Sequence, residues 1–101
     1  MSTLSKRIRE ARLRIGISQE RLAMQIGIDP ATARTRMNRY ERGTRVPDLA
    51  LVERLAKELG LPAAYFYAVE DDEAELLRWF GRLSVDERAK VMQKINSVNA
   101  I

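Results

Sequence analysis

Ser18-Gln-Glu-Arg-Leu-Ala-Met-Gln-Ile-Gly-Ile-Asp-Pro30, running on through Ala31-Thr-Ala-Arg-Thr-Arg-Met-Asn-Arg-Tyr-Glu-Arg-Gly43, decides the fold. Ser18 is a strong N-cap, and Leu22, Ala23 and Ile26 recur at the spacing of one helix face. Gly27 supplies the positive φ that a tight turn between helices demands. Asp29-Pro30 then reads as a cap followed by a first-turn proline, opening a helix over about 30–42 that Gly43 stops. Within it Ala33, Met37 and Tyr40 form an inward stripe spaced i, i+4, i+7, while the outer face carries Arg, Thr and Asn.

Outward from this pair the same logic extends. Leu4, Ile8, Ala11 and Ile15 predict a first helix from about Leu4 to Ile15, closed by Gly16. Asp48 caps a fourth, with Leu49, Val52, Leu55, Ala56 and Leu59 on one face and Gly60 at its end. Pro62 opens a short fifth helix through Tyr67. The acidic run Glu70-Asp71-Asp72-Glu73 reads as a break that divides a domain of residues 1–69 from a tail of residues 70–101. The tail carries one helical pattern with Leu76, Leu77, Trp79, Phe80 and Leu83. A second starts at Ser84, with Glu87 at capping-box spacing and Val91, Ile95 and Val98 beyond. No strand pattern appears, so the expected class is all-α: five helices followed by one or two more.

Composition narrows the chemistry. With no Cys and no His, thiol nucleophiles, imidazole acid–base catalysis and most metal sites are excluded. The carboxylate pair Asp71/Asp72 sits in a charge run of the kind that is normally solvated. The expectation is therefore no enzyme, no metal and no cofactor. Absence of Cys fits a reducing compartment. The N-terminus leads into charged helix rather than an apolar signal segment, and the longest apolar run, Ala63 to Val69, is too short to span a bilayer. A cytoplasmic location with no membrane contact is the reading.

Charge points to the partner. Residues 1–45 hold 11 basic and 4 acidic side chains, residues 46–101 hold 7 and 10. A basic half of this kind is the electrostatic footprint of a polyanion. Arg supplies 14 of the 18 basic residues, which favours bidentate phosphate or guanine contacts over diffuse attraction.

Taken together, Ile8-Arg9-Glu10 with Arg12, Gly16-Ile17-Ser18-Gln19-Glu20, Leu22-Ala23, Gly27-Ile28, Tyr40-Glu41-Arg42-Gly43, Pro47 and Leu55-Ala56 with Leu59-Gly60 resemble the Cro/phage-repressor type of helix-turn-helix, the xenobiotic-response-element-like regulators. The resemblance covers residues of about 4–67 in the correct order. It implies a lambda-repressor-like domain that binds double-stranded DNA and regulates transcription, more often as a repressor. One departure stands out: between Gly27 and the Tyr-Glu-Arg-Gly end this chain has four residues more than the family pattern. Four residues are about one helical turn, so the expectation is a recognition helix longer by one turn, with a bulged turn ahead of the helix as the alternative.

With Ala33, Met37 and Tyr40 inward, about 100° per residue puts Ala31, Thr35 and Asn38 outward and Arg34 on the flank. Ala31, Arg34, Thr35 and Asn38 are the expected base-reading set: Arg pairs bidentately with guanine, Asn with adenine, and the Ala or Thr methyl meets the thymine methyl. Gln19, Thr32, Arg39 and Arg45 are the expected phosphate contacts. The four arginines of the first helix, Arg7, Arg9, Arg12 and Arg14, circle it and read as mostly solvated, with one of them reaching phosphate. One such domain covers half a site, so the resemblance implies a homodimer on a near-palindromic operator. Leu76, Leu77, Trp79, Phe80 and Leu83 are the expected dimer surface, with folding back onto Tyr65 and Phe66 as the alternative. A second functional reading is the DNA-binding antitoxin of a toxin–antitoxin pair, its tail holding a protein partner.

Overall fold

Four helices open on a side chain that accepts the backbone N–H three residues on: Ser2 from Ser5, Ser18 from Arg21, Asp48 from Leu51 and Ser84 from Glu87. Each such cap satisfies a donor the helix cannot and is worth about 1 kcal/mol. In the computed structural model, which describes residues 2–98, the order is α1 (Thr3–Ile15), α2 (Gln19–Gln25), α3 (Ala33–Arg42), α4 (Leu49–Leu59), a 3₁₀ segment at Ala63–Tyr67, α5 (Asp71–Phe80) and α6 (Val85–Ser97). The all-α class holds. Gly27 adopts φ 91°, the left-handed conformation that the turn between α2 and α3 needs.

The core is where the stripes meet. Ile8, Leu22, Ala23, Ala33, Met37, Val52, Leu55 and Phe66 are fully buried. Ala23 and Ala33 are both without exposed surface, and the absence of larger side chains there lets α2 and α3 pack closely. Tyr65 and Phe66 meet edge to face, ring centroids 5.2 Å apart, under α1 and α4.

Two sequence expectations change. The helix expected over about 30–42 starts at Ala33, so the four additional residues do not lengthen it. They form a turn instead: Asp29 Oδ1 accepts the Ala31 N–H (2.8 Å), and the Asp29 carbonyl accepts the Thr32 N–H (3.0 Å). The first helical bond is from Arg36 N–H to the Thr32 carbonyl (2.9 Å). Asp-Pro serves both structures, because proline's fixed φ suits the second position of a turn as well as the first turn of a helix. The Asp side chain, bonding two residues on, favours the turn. The inward stripe is unaffected, since Ala33, Met37 and Tyr40 are all buried.

The acidic run is not a break. Asp71, Asp72 and Glu73 are the first turn of α5, where negative charge faces the positive end of the helix dipole. α5 packs on the 3₁₀ segment, buries Ala74 and brings Leu77 against the core. Asp71 accepts from Lys6 Nζ (3.1 Å) and Arg7 Nη1 (2.9 Å), tying the start of the tail to α1.

Three carboxylates of the tail sit below their usual range. The hydrogen bonds from Lys6 and then Arg7 hold Asp71 below its ordinary 3.8. Arg78 and then Trp79 do the same for Glu75, and the Ser84 backbone N–H for Glu87, both below 4.5. A depressed folded value means stability present above the ordinary pKa and lost as pH falls through the lower, folded one. Acid therefore loosens the tail first: below about pH 4, emission from Trp79, whose Nε1 donates to Glu75 (2.6 Å), changes before far-ultraviolet ellipticity falls. Simultaneous loss of both signals would contradict this.

Candidate nucleic-acid interface

The site begins with a buried ion pair that frames it. Glu41, at the end of α3, is 2% exposed and accepts twice from Arg12 of α1, from Nε at 2.6 Å and Nη2 at 3.0 Å. Arg12 Nη1 also donates to the Ile17 carbonyl (2.9 Å), just ahead of α2. One guanidinium thus fixes α1, the start of α2 and the end of α3 in a single frame. Its planar fork suits this in a way a lysine could not.

Gln19 is drawn into the same frame. Its Nε2 donates to Glu41 Oε1 at 3.2 Å, leaving the second amide hydrogen and the carbonyl oxygen for other partners. Gln19 and Arg34 face one open cleft of about 890 Å³, with Arg12, Glu20, Arg21 and Met24 around it. One residue of each expected set, Arg34 for bases and Gln19 for phosphates, thus meets the other at the α2/α3 corner.

The other expected contact residues divide by position. Arg34, Thr35 and Arg39 are exposed on α3, and Asn38 is half-buried on the same helix. Ala31 and Thr32 are exposed in the turn ahead of α3, not on the helix, so they project beyond its first residue. Arg45 is exposed past Gly43, beyond the end of α3. Arg34, Thr35 and Arg39 thus lie on the solvent-facing side of α3, with Ala31 and Thr32 ahead of it and Arg45 beyond its end. Arg36 points another way, with Nη2 donating to the Tyr40 hydroxyl at 2.6 Å and its guanidinium 5.7 Å from that ring.

The first-helix arginines are where sequence reading missed most. Arg7 is 1% exposed. It donates from Nε to the Ala68 carbonyl (3.0 Å), from Nη1 to Glu10 and Asp71 (each 2.9 Å), and from Nη2 to the Val69 carbonyl (3.2 Å). Burial opposes its charge, but the bonds to Glu10 and Asp71 outweigh that and raise its pKa above the ordinary guanidinium value. Arg12 is the partner of Glu41 described above. A signal existed: Arg7 and Arg12 lie at i+3 and i+4 from Leu4 and Ile8, along the edges of the inward stripe. Charge alone made them look solvated.

Of the expected dimer residues, Leu77 packs on the core and Phe80 and Leu83 are half-buried. Leu76 and Trp79 remain 53% and 48% exposed. The Trp79 ring is flanked by the guanidinium groups of Arg78 (4.3 Å) and Arg82 (5.6 Å). The set therefore divides between a part turned toward the core and a part facing solvent.

Comparisons with known proteins agree with this fold. The helix-turn-helix family model matches residues 8–66. The cryptic phage CTXphi transcriptional repressor RstR of Vibrio cholerae is 38% identical over 72 residues, 71% of this chain and 60% of that protein. The chain thus spans about 60% of the length of this curated relative. The crystal structure of the transcriptional regulator BswR superimposes with a TM-score of 0.88 at 36% identity, covering 93% of each chain.

Proposed function

The chain belongs to the Cro/phage-repressor type of helix-turn-helix family, and from that premise we propose that it binds a near-palindromic operator as a two-fold dimer and represses transcription by occupying it. The family is one of DNA-binding regulators, not of enzymes. The observation that carries the proposal is the edge formed by the 29–32 turn and α3. Polar and cationic side chains occupy its outer surface while Ala33, Met37 and Tyr40 anchor its inner one.

In this reading α3 enters the major groove and its first turn meets base edges. Arg34, Thr35 and Asn38 read bases from the helix, and Ala31 from the turn ahead of it. Gln19, Thr32, Arg39 and Arg45 hold phosphates, with Gln19 kept in place by Glu41. The turn before α3 gives this chain a reading element that a plain helix start lacks.

Selection of the full chain against a random duplex pool, followed by salt-dependent binding of the winners and of scrambled DNA, tests this. A two-fold-symmetric enriched site supports the proposal. Salt-sensitive binding with no enriched site sinks it. Two variants sharpen the result. Arg34→Ala costs roughly 1–3 kcal/mol on the selected operator and relaxes preference at one base pair per half-site. Arg45→Ala weakens operator and scrambled DNA alike and lowers the salt slope by about one unit. Equal loss on both DNAs for Arg34→Ala would remove it from the base-reading set.

A further inference from the structure

Arg78 has fewer partners than its burial demands. Its side chain is 13% exposed. Among the described residues its side-chain hydrogen bonds go to Glu75 alone, from Nη2 at 2.8 Å. Its Nε is fully buried and has no acceptor. A buried donor without a partner carries a desolvation penalty that nothing offsets, so such an atom calls for a ligand, a water or an ion beside it.

The surroundings narrow the choice. Arg78 and Arg82 from the tail and Arg14 from α1 rim a cleft of about 250 Å³, whose floor is Ala11, Ile15, Leu59 and Leu61. Arg14 is held there by the bond from its Nη1 to the Tyr65 hydroxyl (3.4 Å). Ala11 and Leu59 are buried and Leu61 is half-buried, so the floor offers apolar surface to an occupant. The cleft shares no residue with the one at the α2/α3 corner.

Its charges do not cancel. Glu75 answers one of the three arginines. The C-terminal ends of α1 and α4, at Ile15 and Leu59, carry about half a negative charge each and together answer a second. The end of α5 is met by Arg88, which donates to the Phe80 and Gly81 carbonyls (3.1 and 3.0 Å). Glu10 is taken by Arg7 and the Tyr65 hydroxyl. Glu58 lines the neighbouring cleft with Ile15 and Leu59 and not this one. About one positive charge at the rim therefore lacks a counterpart.

We propose that this cleft binds a small organic monoanion, a carboxylate on a short apolar chain, its charge among the three guanidinium groups and its chain on Ala11, Leu59 and Leu61. A guanidinium fork matches the two oxygens of a carboxylate. One uncompensated charge suits a monoanion better than a phosphate dianion. The volume sets the length, because 250 Å³ lies below the roughly 300–1,000 Å³ of sites for drug-sized ligands. Since α1 and α4 supply the floor and the tail supplies two of the three cations, an occupant ties the tail to α1 and α4. It does so without touching the recognition helix.

Hexanoate is the probe, titrated into the full chain and followed by calorimetry and by amide chemical shifts. Saturable binding with a Kd of about 1 mM is expected for a ligand of this size, with shifts centred on Ala11, Leu61 and Arg78. Acetate lacks the chain, 1-hexanol lacks the charge and hexylamine reverses it. Each of these, and inorganic phosphate, binds at least about tenfold more weakly. Arg14→Gln and Arg82→Gln each weaken hexanoate about tenfold. Both side chains are exposed, so the fold, checked by circular dichroism, is kept. Arg9→Gln, an exposed arginine of α1 outside the cleft, leaves the Kd unchanged. Hexanol binding as tightly as hexanoate would reduce the site to an apolar dent, and phosphate doing so would remove the carboxylate. An equal loss in Arg9→Gln would make the attraction diffuse. Any of these overturns the proposal, as does a titration without saturation or shifts centred on the α2/α3 corner. Operator binding is read separately by the duplex selection, so either reading can fail without the other.

Discussion

Glu41→Ala lowers the unfolding free energy by about 3–5 kcal/mol, a large share of the roughly 5–15 kcal/mol that holds a domain of this size. The cause is the charge left behind. The Arg12 guanidinium, with a side chain only 12% exposed, loses both carboxylate acceptors while its bond to the Ile17 carbonyl keeps it in place. Gln19 loses its anchor at the same time. Urea denaturation followed by circular dichroism measures the loss. The paired replacement Arg12→Met with Glu41→Leu recovers most of it, since a buried ion pair exchanged for apolar groups of similar volume is often neutral or stabilising. The recovered fold should still bind DNA poorly, because Gln19 is no longer held. A cost below about 1 kcal/mol for Glu41→Ala would mean the pair behaves as a surface ion pair.

Arg7→Ala is the second large effect and acts elsewhere. Arg7 ties α1 to the connection into the tail: it bonds the carbonyls of Ala68 and Val69, the carboxylate of Asp71 at the start of α5 and that of Glu10 on its own helix. Its side chain also covers the Tyr65 ring, 5.9 Å from guanidinium to centroid. The two carboxylates are exposed enough to regain water, at 37% and 75%. The loss therefore comes from the abandoned carbonyls and the vacated volume, about 2–4 kcal/mol. The distribution of the loss is the more telling readout. Amide exchange accelerates in α5 and the 3₁₀ segment before it does in α2 and α3, because those are the elements Arg7 holds to α1. Arg7→Lys does not rescue, since one ammonium cannot serve four acceptors set around a planar fork. Unchanged protection in α5 would show that apolar packing of Ala74 and Leu77 suffices without the pin.

The two residues share a lesson about charge. The first 45 residues are strongly basic, and the simplest reading hands every arginine there to a polyanion. Two of them are committed inside the protein. The bias toward the outer surface survives this subtraction, because Arg34, Arg39, Arg42 and Arg45 all remain exposed. The corrected count changes which variants report on DNA and which report on folding.

Helix existence, type and order were legible because each rests on neighbours in the chain: caps at Ser18, Asp48 and Ser84, stops at Gly16, Gly43 and Gly60, and apolar residues at i, i+3 and i+4. The inward stripe Ala33, Met37 and Tyr40 was legible for the same reason. Asp29-Pro30 was ambiguous, because those residues suit a turn and a helix start about equally and the difference lies in where the backbone N–H of Ala31 and Thr32 finds an acceptor. The acidic run was misread because a helix dipole, Lys6 and Arg7 all favour negative charge at one place, and only the last two are far away in sequence.

Local chemistry by itself determined the all-α class, the helix-turn-helix and the outward polar face of α3, since caps, glycine turns and periodicity act within a few residues. The tertiary structure alone decided which charges are spent inside. The Arg12–Glu41 pair spans 29 residues and the Arg7–Asp71 pair 64. Packing removes water from both partners of the first pair and from Arg7 alone in the second, and no stretch of sequence records that removal.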